Sequence, residues 1–554
     1  MLSRRTPSSS VWIRLVVALL VTSAATDVRA QPPAKQTVMV AMNDGIKLAT
    51  DVFLPPGAGP FPVVLMRTPY DKNGGAGIGQ DGARRGYAVV CQDTRGRFAS
   101  EGEGLPFVGD GWGKLKDGYD TLEWIAKQSW CNGNIGTWGG SAVGITQIGM
   151  AGSGTTHLTC QHITVAPTSL YNCVYPGGVF KKALIEDWLR ATNHSPNSLR
   201  FWSAHPVFDD FWRDYDLAAN WGKVTAPAVH IGGWYDIFTQ GTLDSFVGYQ
   251  TKAAAKARGR SKLIIGPWTH GVFQNKAGEL TFPNGSQPPG NVQDPWRWFD
   301  AEMRGVDNGM DKAPAVTYYV MGDTTDPKAP GNVWRTADTW PPVPSKPTRY
   351  FFTLDHGLTT AAPANRGEIA YSYDPKNPVP TVGGAQLTLP AGPMDQRKIE
   401  TRPDLLLFTN EALAAPLEIT GRVRVHLWAS SDAADTDFIA KLCDVYPDGR
   451  SINICEGQLR ARFREGFTKE KLMKPGEIYA FDIDLWSTSI IVNTGHRLRV
   501  QVTSSSSPGC DPNPNTGEPF RSSDRTQVAR NTIYLDRAHP SHILVPVVTS
   551  KATR

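Results

Sequence analysis

Short apolar runs closed by polar or glycine-rich stretches set the rhythm of the first half of the chain. Residues 37–40 and 47–54 alternate apolar and polar positions, which predicts two paired strands. Residues 61–67 and 87–92 are continuous apolar runs and predict buried strands. The first runs into Thr68-Pro69-Tyr70-Asp71-Lys72 and then a glycine-rich loop; the second runs into the polar loop 93–102. Residues 117–128 place Leu122, Ile125 and Ala126 on one face and predict a helix. Further strands are expected leading into Ser141, over residues 158–166, from Ala226 and from Leu263. Buried strands alternating with helical or loop crossings predict an α/β fold with a mostly parallel sheet.

The rhythm breaks twice. Residues 171–222 have helical patterning and many aromatics, among them Trp188, Trp202, Trp212 and Trp221. They are expected to form a helical cap inserted over the site face of the sheet, most rings serving as core and a few lining a pocket. Past about Lys346 the pattern becomes short alternating strands separated by turns, as over residues 419–428, 438–442, 497–503 and 531–535. That is the pattern of an antiparallel sandwich or jelly roll. Trp340-Pro341-Pro342-Val343-Pro344 marks the boundary, giving an expected catalytic domain over 31–345 and a β-sandwich over 346–554.

The N-terminus reads as a leader. Arg4, Arg5 and Arg14 supply charge, residues 15–21 form a short apolar core, and Val28-Arg29-Ala30 precedes Gln31 as a cleavage site. A signal peptide over 1–30 implies a secreted or periplasmic protein, the alternative being an uncleaved anchor; no cysteine follows the cleavage site to carry lipid. The remaining composition changes little. A chain of 554 residues with 40% hydrophobic content supports more than one core, and a net charge of +5 is too dilute to argue for nucleic acid. Seven cysteines leave at least one free or pairing between chains; Cys443 and Cys455 flank a turn and are candidates for a cross-strand bridge. No Cys-x-x-Cys or His-Glu-x-x-His spacing occurs, so no metal and no cofactor is expected.

The candidate chemistry lies at strand ends. Gly139-Gly140-Ser141 stands between a strand and an apolar helical run, as a nucleophile elbow does. The usual elbow glycine two residues past the serine is here Val143, and a glycine comes one later, at 144, so an incidental serine in a glycine-rich turn is the competing reading. Asp236 and His270 follow two later strands, and the order Ser, Asp, His is that of an α/β-hydrolase triad. A histidine near neutrality can take the serine proton, and a carboxylate can orient it. Of the eleven histidines, His230 is the nearest rival, but it lies inside a strand and reads as a satisfied core residue. The Ala142 amide, at a helix head, and the Tyr70 phenol are the candidate oxyanion donors; without the triad, Tyr70 reads as an ordinary turn residue.

These segments together resemble the X-Pro dipeptidyl-peptidase and cocaine-esterase type of serine hydrolase. The resemblance is carried by Arg67-Thr68-Pro69-Tyr70-Asp71-Lys72, Gln92-Asp93-Thr94-Arg95-Gly96, Gly139-Gly140-Ser141 with Gly144, Gly232-Gly233-Trp234-Tyr235-Asp236, Gly266-Pro267-Trp268-Thr269-His270 and Asp444-Val445-Tyr446-Pro447-Asp448-Gly449. It implies an α/β-hydrolase domain with an inserted helical cap and a C-terminal jelly roll. It also implies Ser141, Asp236 and His270 as triad, and Tyr70 with Ala142 as oxyanion hole. Two departures stand out. Many relatives have a tyrosine where this chain has Ala142. Ile237 and Phe238 follow Asp236, where the similar α-amino-acid ester hydrolases use acidic residues to hold an amino group.

The leading expectation is therefore an exported serine hydrolase cleaving a small ester or amide through an acyl-enzyme, with an apolar acyl pocket. An X-Pro dipeptidyl-peptidase acting on short peptides is the alternative, and a catalytically silent binding or scaffold protein using the sandwich is a third reading. Neither nucleic acid nor stable membrane insertion after leader removal is expected, and a homo-oligomer is left open.

Overall fold

The computed structural model describes residues 34–364 and 367–549. The leader assigned to residues 1–30 lies outside them. Among the described residues no helix is long and apolar enough to cross a membrane.

The first half builds one ten-stranded sheet. Its strands are β1 (Ala34–Ala41), β2 (Lys47–Leu54), β3 (Phe61–Thr68), β4 (Ala88–Asp93), β5 (Cys131–Gly140), β6 (Leu158–Thr164), β7 (Ala228–Gly233) and β8 (Lys262–Gly266). After a small ribbon of β9 (Lys276–Ala277) and β10 (Leu280–Thr281), β11 (Val316–Val320) and β12 (Val333–Ala337) complete it. The order is β1-β2-β4-β3-β5-β6-β7-β8-β11-β12. From β4 to β11 all neighbours are parallel; β1, β2 and β12 are antiparallel additions at the edges. The parallel strands are apolar on both faces because both faces are covered: β4, β7 and β8 are buried along their whole length.

The glycine-rich stretch after Tyr70, read as a loop, is in fact helix α1 (Ala76–Arg84). Its glycines are there for proximity. A Cβ on Gly79 would lie 2.4 Å from the Phe53 ring, and one on Gly82 would lie 2.4 Å from Val89. The helix packs so close to the sheet at these two positions that neither can carry a side chain, and the resulting run of glycines reads as a loop.

Helices α2 (Asp117–Ala126) and α3 (Ala142–Gly152) cross back along the sheet. Between β6 and β7 the chain leaves the sheet and forms α4 (Leu170–Val174), α5 (Lys182–Ala191), α6 (Asn197–Ser203) and α7 (Asp210–Arg213). Their aromatics form a cluster with Phe107, Ala142, Ile237 and Phe238 of the sheet domain, edged by Leu387, Phe467 and Phe520 from later in the chain.

From Ser345 the chain is a two-sheet β-sandwich. One sheet holds β13 (Ser345–Phe352), β14 (Leu358–Thr359), β15 (Glu368–Tyr373), β17 (Leu417–Ser431), β20 (Tyr479–Val492), β22 (Ala529–Tyr534) and β23 (His542–Val548). The other holds β16 (Leu405–Thr409), β18 (Asp437–Val445), β19 (Ser451–Arg460) and β21 (Arg497–Thr503), in the order β16-β21-β18-β19. β18 is buried at every position although it carries Asp437, Lys441 and Asp444. Each finds a partner: Arg460 at 2.8 Å, Glu456 at 3.4 Å and His496 at 2.8 Å. The sandwich core is continuous with the last strands of the large sheet, through Trp234, Leu263, Ile265 and Tyr318.

All seven cysteines are free. The β18–β19 pairing sets Cys443 opposite Asn453 and Cys455 opposite Leu442, so the two thiols are not cross-strand partners. His230 is buried in the core as expected, but it is not satisfied: its Nε2 has no hydrogen-bond partner among the described residues. Burial holds it neutral, lowering its pKa to about 3.

Candidate active site

Ser141 sits between β5 and α3 with φ 57° and ψ −125°, a conformation that costs an ordinary residue about 1–3 kcal/mol. The cost is held by its surroundings. The Ser141 N–H donates to the Thr164 carbonyl at 2.9 Å, and the Ser141 carbonyl accepts from the Gly144 and Ile145 N–H groups. The structure explains the late glycine. Val143 packs over Gly139, where a Cβ would lie 2.2 Å from Val143 Cγ1. Gly144 is where α3 passes closest to the end of β6, and a Cβ there would lie 2.8 Å from Ala166 Cβ. In this chain it is therefore position 144, not 143, that must lack a side chain.

Asp236 and His270 are brought together by their loops. Trp234 N–H donates to Gly266 O at 2.9 Å and Tyr235 N–H to Trp268 O at 2.8 Å, which ties the turn after β7 to the turn after β8. Thr239 Oγ1 donates to the carbonyls of Gly233 and Asp236, closing the aspartate turn. The result is one hydrogen-bonded line: Asp236 Oδ1 lies 2.7 Å from His270 Nδ1, and His270 Nε2 lies 2.8 Å from Ser141 Oγ. Asp236 is fully buried, while His270 is 16% exposed and opens to solvent. Phe238 packs edge-on against the imidazole, with ring centroids 5.6 Å apart.

Tyr70 stands on the loop after β3. Asp93 braces that loop by accepting from the Lys72 N–H at 2.6 Å, and Arg97 Nε donates to the Pro69 carbonyl at 3.1 Å. The Tyr70 hydroxyl accepts a hydrogen bond from the indole N–H of Trp188 at 2.9 Å. Burial raises the phenol's pKa, while hydrogen bonding with Trp188 and Ser141 acts in the opposite direction. Across from it, the Ala142 N–H is the first of α3, where no carbonyl of the helix can accept it. The five residues picked from the sequence thus converge on one spot.

A narrow cleft opens beside Ser141, lined by Tyr70, Ala142, Ile145, Leu184, Ile185, Trp188, Trp202, Ile237, Phe238 and Leu387, with Phe107 and Cys173. It is apolar and small, with room of about 30 Å³. Of the cap tryptophans only Trp188 and Trp202 reach it; Trp212 and Trp221 are core. Two lining residues had no signal in the sequence. Leu387 arrives from the sandwich, and Phe107 from a turn before α2. Among the described residues no group of three or more His, Cys, Asp or Glu side chains is arranged to hold a metal ion.

The family model for the X-Pro dipeptidyl-peptidase (S15 family) matches residues 44–200 and 182–272, and that for the X-Pro dipeptidyl-peptidase C-terminal non-catalytic domain matches residues 308–544. The chain belongs to the X-Pro dipeptidyl-peptidase (S15) family of serine hydrolases. Within it, the chain is similar to the cocaine esterase of Rhodococcus sp. (strain MB1 Bresler), 34% identical over 582 aligned positions that cover 92% of this chain and 98% of the relative. Among solved structures it resembles an aminopeptidase from a marine sediment archaeon, Thaumarchaeota archaeon, with TM-score 0.78, 24% identity and coverage of 96% and 99%. An α-amino acid ester hydrolase superposes with TM-score 0.73 at 25% identity, covering 95% of this chain and 98% of the other. These neighbours share the α/β-hydrolase body with its C-terminal, mostly β domain.

Proposed function

We propose that this S15-family chain is an exported esterase or amidase that works through an acyl-enzyme, with Ser141 as nucleophile, His270 as base and Asp236 as its orienting carboxylate. The observation that carries the reading is the unbroken line from Asp236 Oδ1 to Ser141 Oγ, at 2.7 and 2.8 Å. Ser141 Oγ attacks the substrate carbonyl as His270 Nε2 takes its proton. Asp236 accepts from His270 Nδ1–H, which sets the tautomer and offsets the imidazolium charge. The carbonyl oxygen becomes an oxyanion facing the Ala142 N–H and the Tyr70 hydroxyl. His270 then protonates the leaving alcohol or amine. Water, activated by the same histidine, releases the acid. In this reading residues 31–345 are the catalytic body, 171–222 its cap and 346–554 the sandwich; export rests on residues 1–30.

The cleft supports an uncharged acyl group. No carboxylate lines it, so an N-terminal ammonium would lose its hydration there without a counter-charge. That favours ester or simple amide over the X-Pro dipeptide reading. A fluorophosphonate probe tests the nucleophile: one adduct mapping to Ser141 and abolished by Ser141→Ala is expected, and labelling that survives that change refutes it. Turnover of p-nitrophenyl acetate against Ala-Pro-p-nitroanilide tests the substrate class; faster cleavage of the anilide would make the chain a peptidase.

A further inference from the structure

The Tyr70 hydroxyl has one proton to give and two positions at which to accept. Trp188 Nε1 is a donor only, and at 2.9 Å it occupies one of the accepting positions. The phenol cannot return a hydrogen bond to the indole, so its own proton is turned away from the cap. Accepting a bond also polarises the O–H and makes it a better donor.

Trp188 is itself held. Its ring stacks with Phe107 (centroids 5.8 Å, planes 12° apart) and with Trp202 (6.4 Å, 7°), and His194 lies against it at 4.8 Å. His194 is neutral there: burial, then the nearby Arg97 cation, lowers its pKa to about 4. A second tie runs in parallel. Arg97, which bonds the Pro69 carbonyl beside Tyr70, also donates to the carbonyls of Thr192 and Asn193 at the end of α5. The tyrosine belongs to the sheet domain, but two independent sets of hydrogen bonds join it to the cap.

We propose that Trp188 is the positioning residue of the oxyanion hole: its indole N–H holds the Tyr70 hydroxyl in the orientation that donates to the oxyanion, so the cap is part of the catalytic machinery as well as a pocket wall. The proposal rests on Ser141 being the nucleophile. It differs from a pocket role in what it predicts. A wall residue acts on substrate binding; a positioning residue acts on kcat, and only while Tyr70 has a hydroxyl to position.

The experiment is a double-mutant cycle with p-nitrophenyl acetate on Trp188→Phe, Tyr70→Phe and the double variant. Trp188→Phe keeps an aromatic ring and removes the N–H. It is expected to lower kcat roughly three- to tenfold, the span of one hydrogen bond, with KM within twofold. Tyr70→Phe is expected to lower kcat roughly a hundredfold or more. The double variant should then match Tyr70→Phe alone within twofold. Multiplying effects in the double variant, or a loss confined to KM, would overturn the proposal. Replacing Trp188 with β-(3-benzothienyl)alanine, which keeps the bicyclic shape and lacks the N–H, controls for packing. It should reproduce the kcat loss, and wild-type kcat there would also overturn the proposal. Stoichiometric fluorophosphonate labelling of wild type at Ser141 separates the two levels. Without it the nucleophile reading falls; with it and an additive cycle, only the role of Trp188 falls.

Discussion

Gly144→Ala probes the geometry that sets the serine in place. The added Cβ would stand 2.8 Å from Ala166 Cβ and 3.3 Å from the Thr164 carbonyl oxygen. Carbon pairs rest at about 3.5–4.0 Å, so roughly 0.7–1.2 Å must be recovered by moving α3 away from the end of β6. The helix has little freedom to retreat. On its other contact, Gly149 lies so close to the Asp110 carbonyl that a Cβ there would be 1.6 Å from the oxygen, and Thr146 Oγ1 is bonded to Arg67 O at 3.2 Å. Overpacking of this kind costs about 1–3 kcal/mol. Catalysis should suffer as well. Ser141 starts α3, and a shift of half an ångström is enough to spoil its 2.8 Å bond to His270, for a loss in kcat of about 10- to 100-fold. The partner change Ala166→Gly removes the opposing methyl at a cost of about 1–2 kcal/mol in lost burial and backbone entropy. In the double variant the two changes should compensate by about 1–2 kcal/mol. The assay is the thermal midpoint and kcat on p-nitrophenyl acetate for wild type, both single variants and the double. A Gly144→Ala protein with wild-type midpoint and kcat would refute the close-approach argument, as would a double variant no better than the sum of the singles.

Three further outcomes are expected. The acyl cleft has room of only about 30 Å³, so p-nitrophenyl acetate should be turned over faster than the hexanoate, and Leu387→Ala should shift the preference toward the longer chain; no shift would mean that Leu387 does not bound the acyl group. His496 is buried between Asp444 on β18 and Asp323 after β11, at 2.8 and 3.4 Å, with the Tyr446 ring 4.3 Å away. Burial alone would lower its pKa, but the two carboxylates outweigh that and raise it. Its stabilising contribution is then fully present below about pH 6.5 and lost as pH rises through the higher folded value. The difference in thermal midpoint between wild type and His496→Gln should shrink with rising pH over that range, and a constant difference would count against it. Burial pushes the Cys91, Cys173 and Cys443 thiols up to about 12, and Cys131 alone of the seven is even partly exposed. Ellman's reagent should therefore find seven thiols after denaturation without reductant and at most one reactive in the native chain; fewer than seven would reveal a disulfide.

Much of the architecture was legible because parallel strands covered on both faces are mostly apolar, and runs such as 61–67 and 87–92 can serve little else. The candidate triad was legible for a related reason. Strand ends in such a sheet all face one side, so polar residues placed just past them point to a shared site. Where the local pattern was set by a distant neighbour, the reading failed. Helix α1 looked like a loop because the rings of Phe53 and Trp296 occupy the space its side chains would take. The fully buried β18 looked half exposed because its charges are neutralised by Arg460, Glu456 and His496, residues remote from it or on another strand. Cys443 and Cys455 looked like partners because both flank one turn, but the register that leaves the turn sets Cys443 opposite Asn453.

The sequence by itself determined the chemistry on offer: a serine at a glycine-flanked turn, an aspartate and a histidine after later strands, a tyrosine after an earlier one, and apolar residues, Ile237 and Phe238, directly after the aspartate. These are local facts, carried by residue type and by position within a strand-and-turn pattern. Only the tertiary structure decided which of the cap aromatics touches Tyr70, that Leu387 comes across from the sandwich to wall the cleft, and why glycine belongs at 144 and not at 143. Each of those depends on which surfaces meet, and contact between segments far apart in the chain leaves no periodicity behind in either of them.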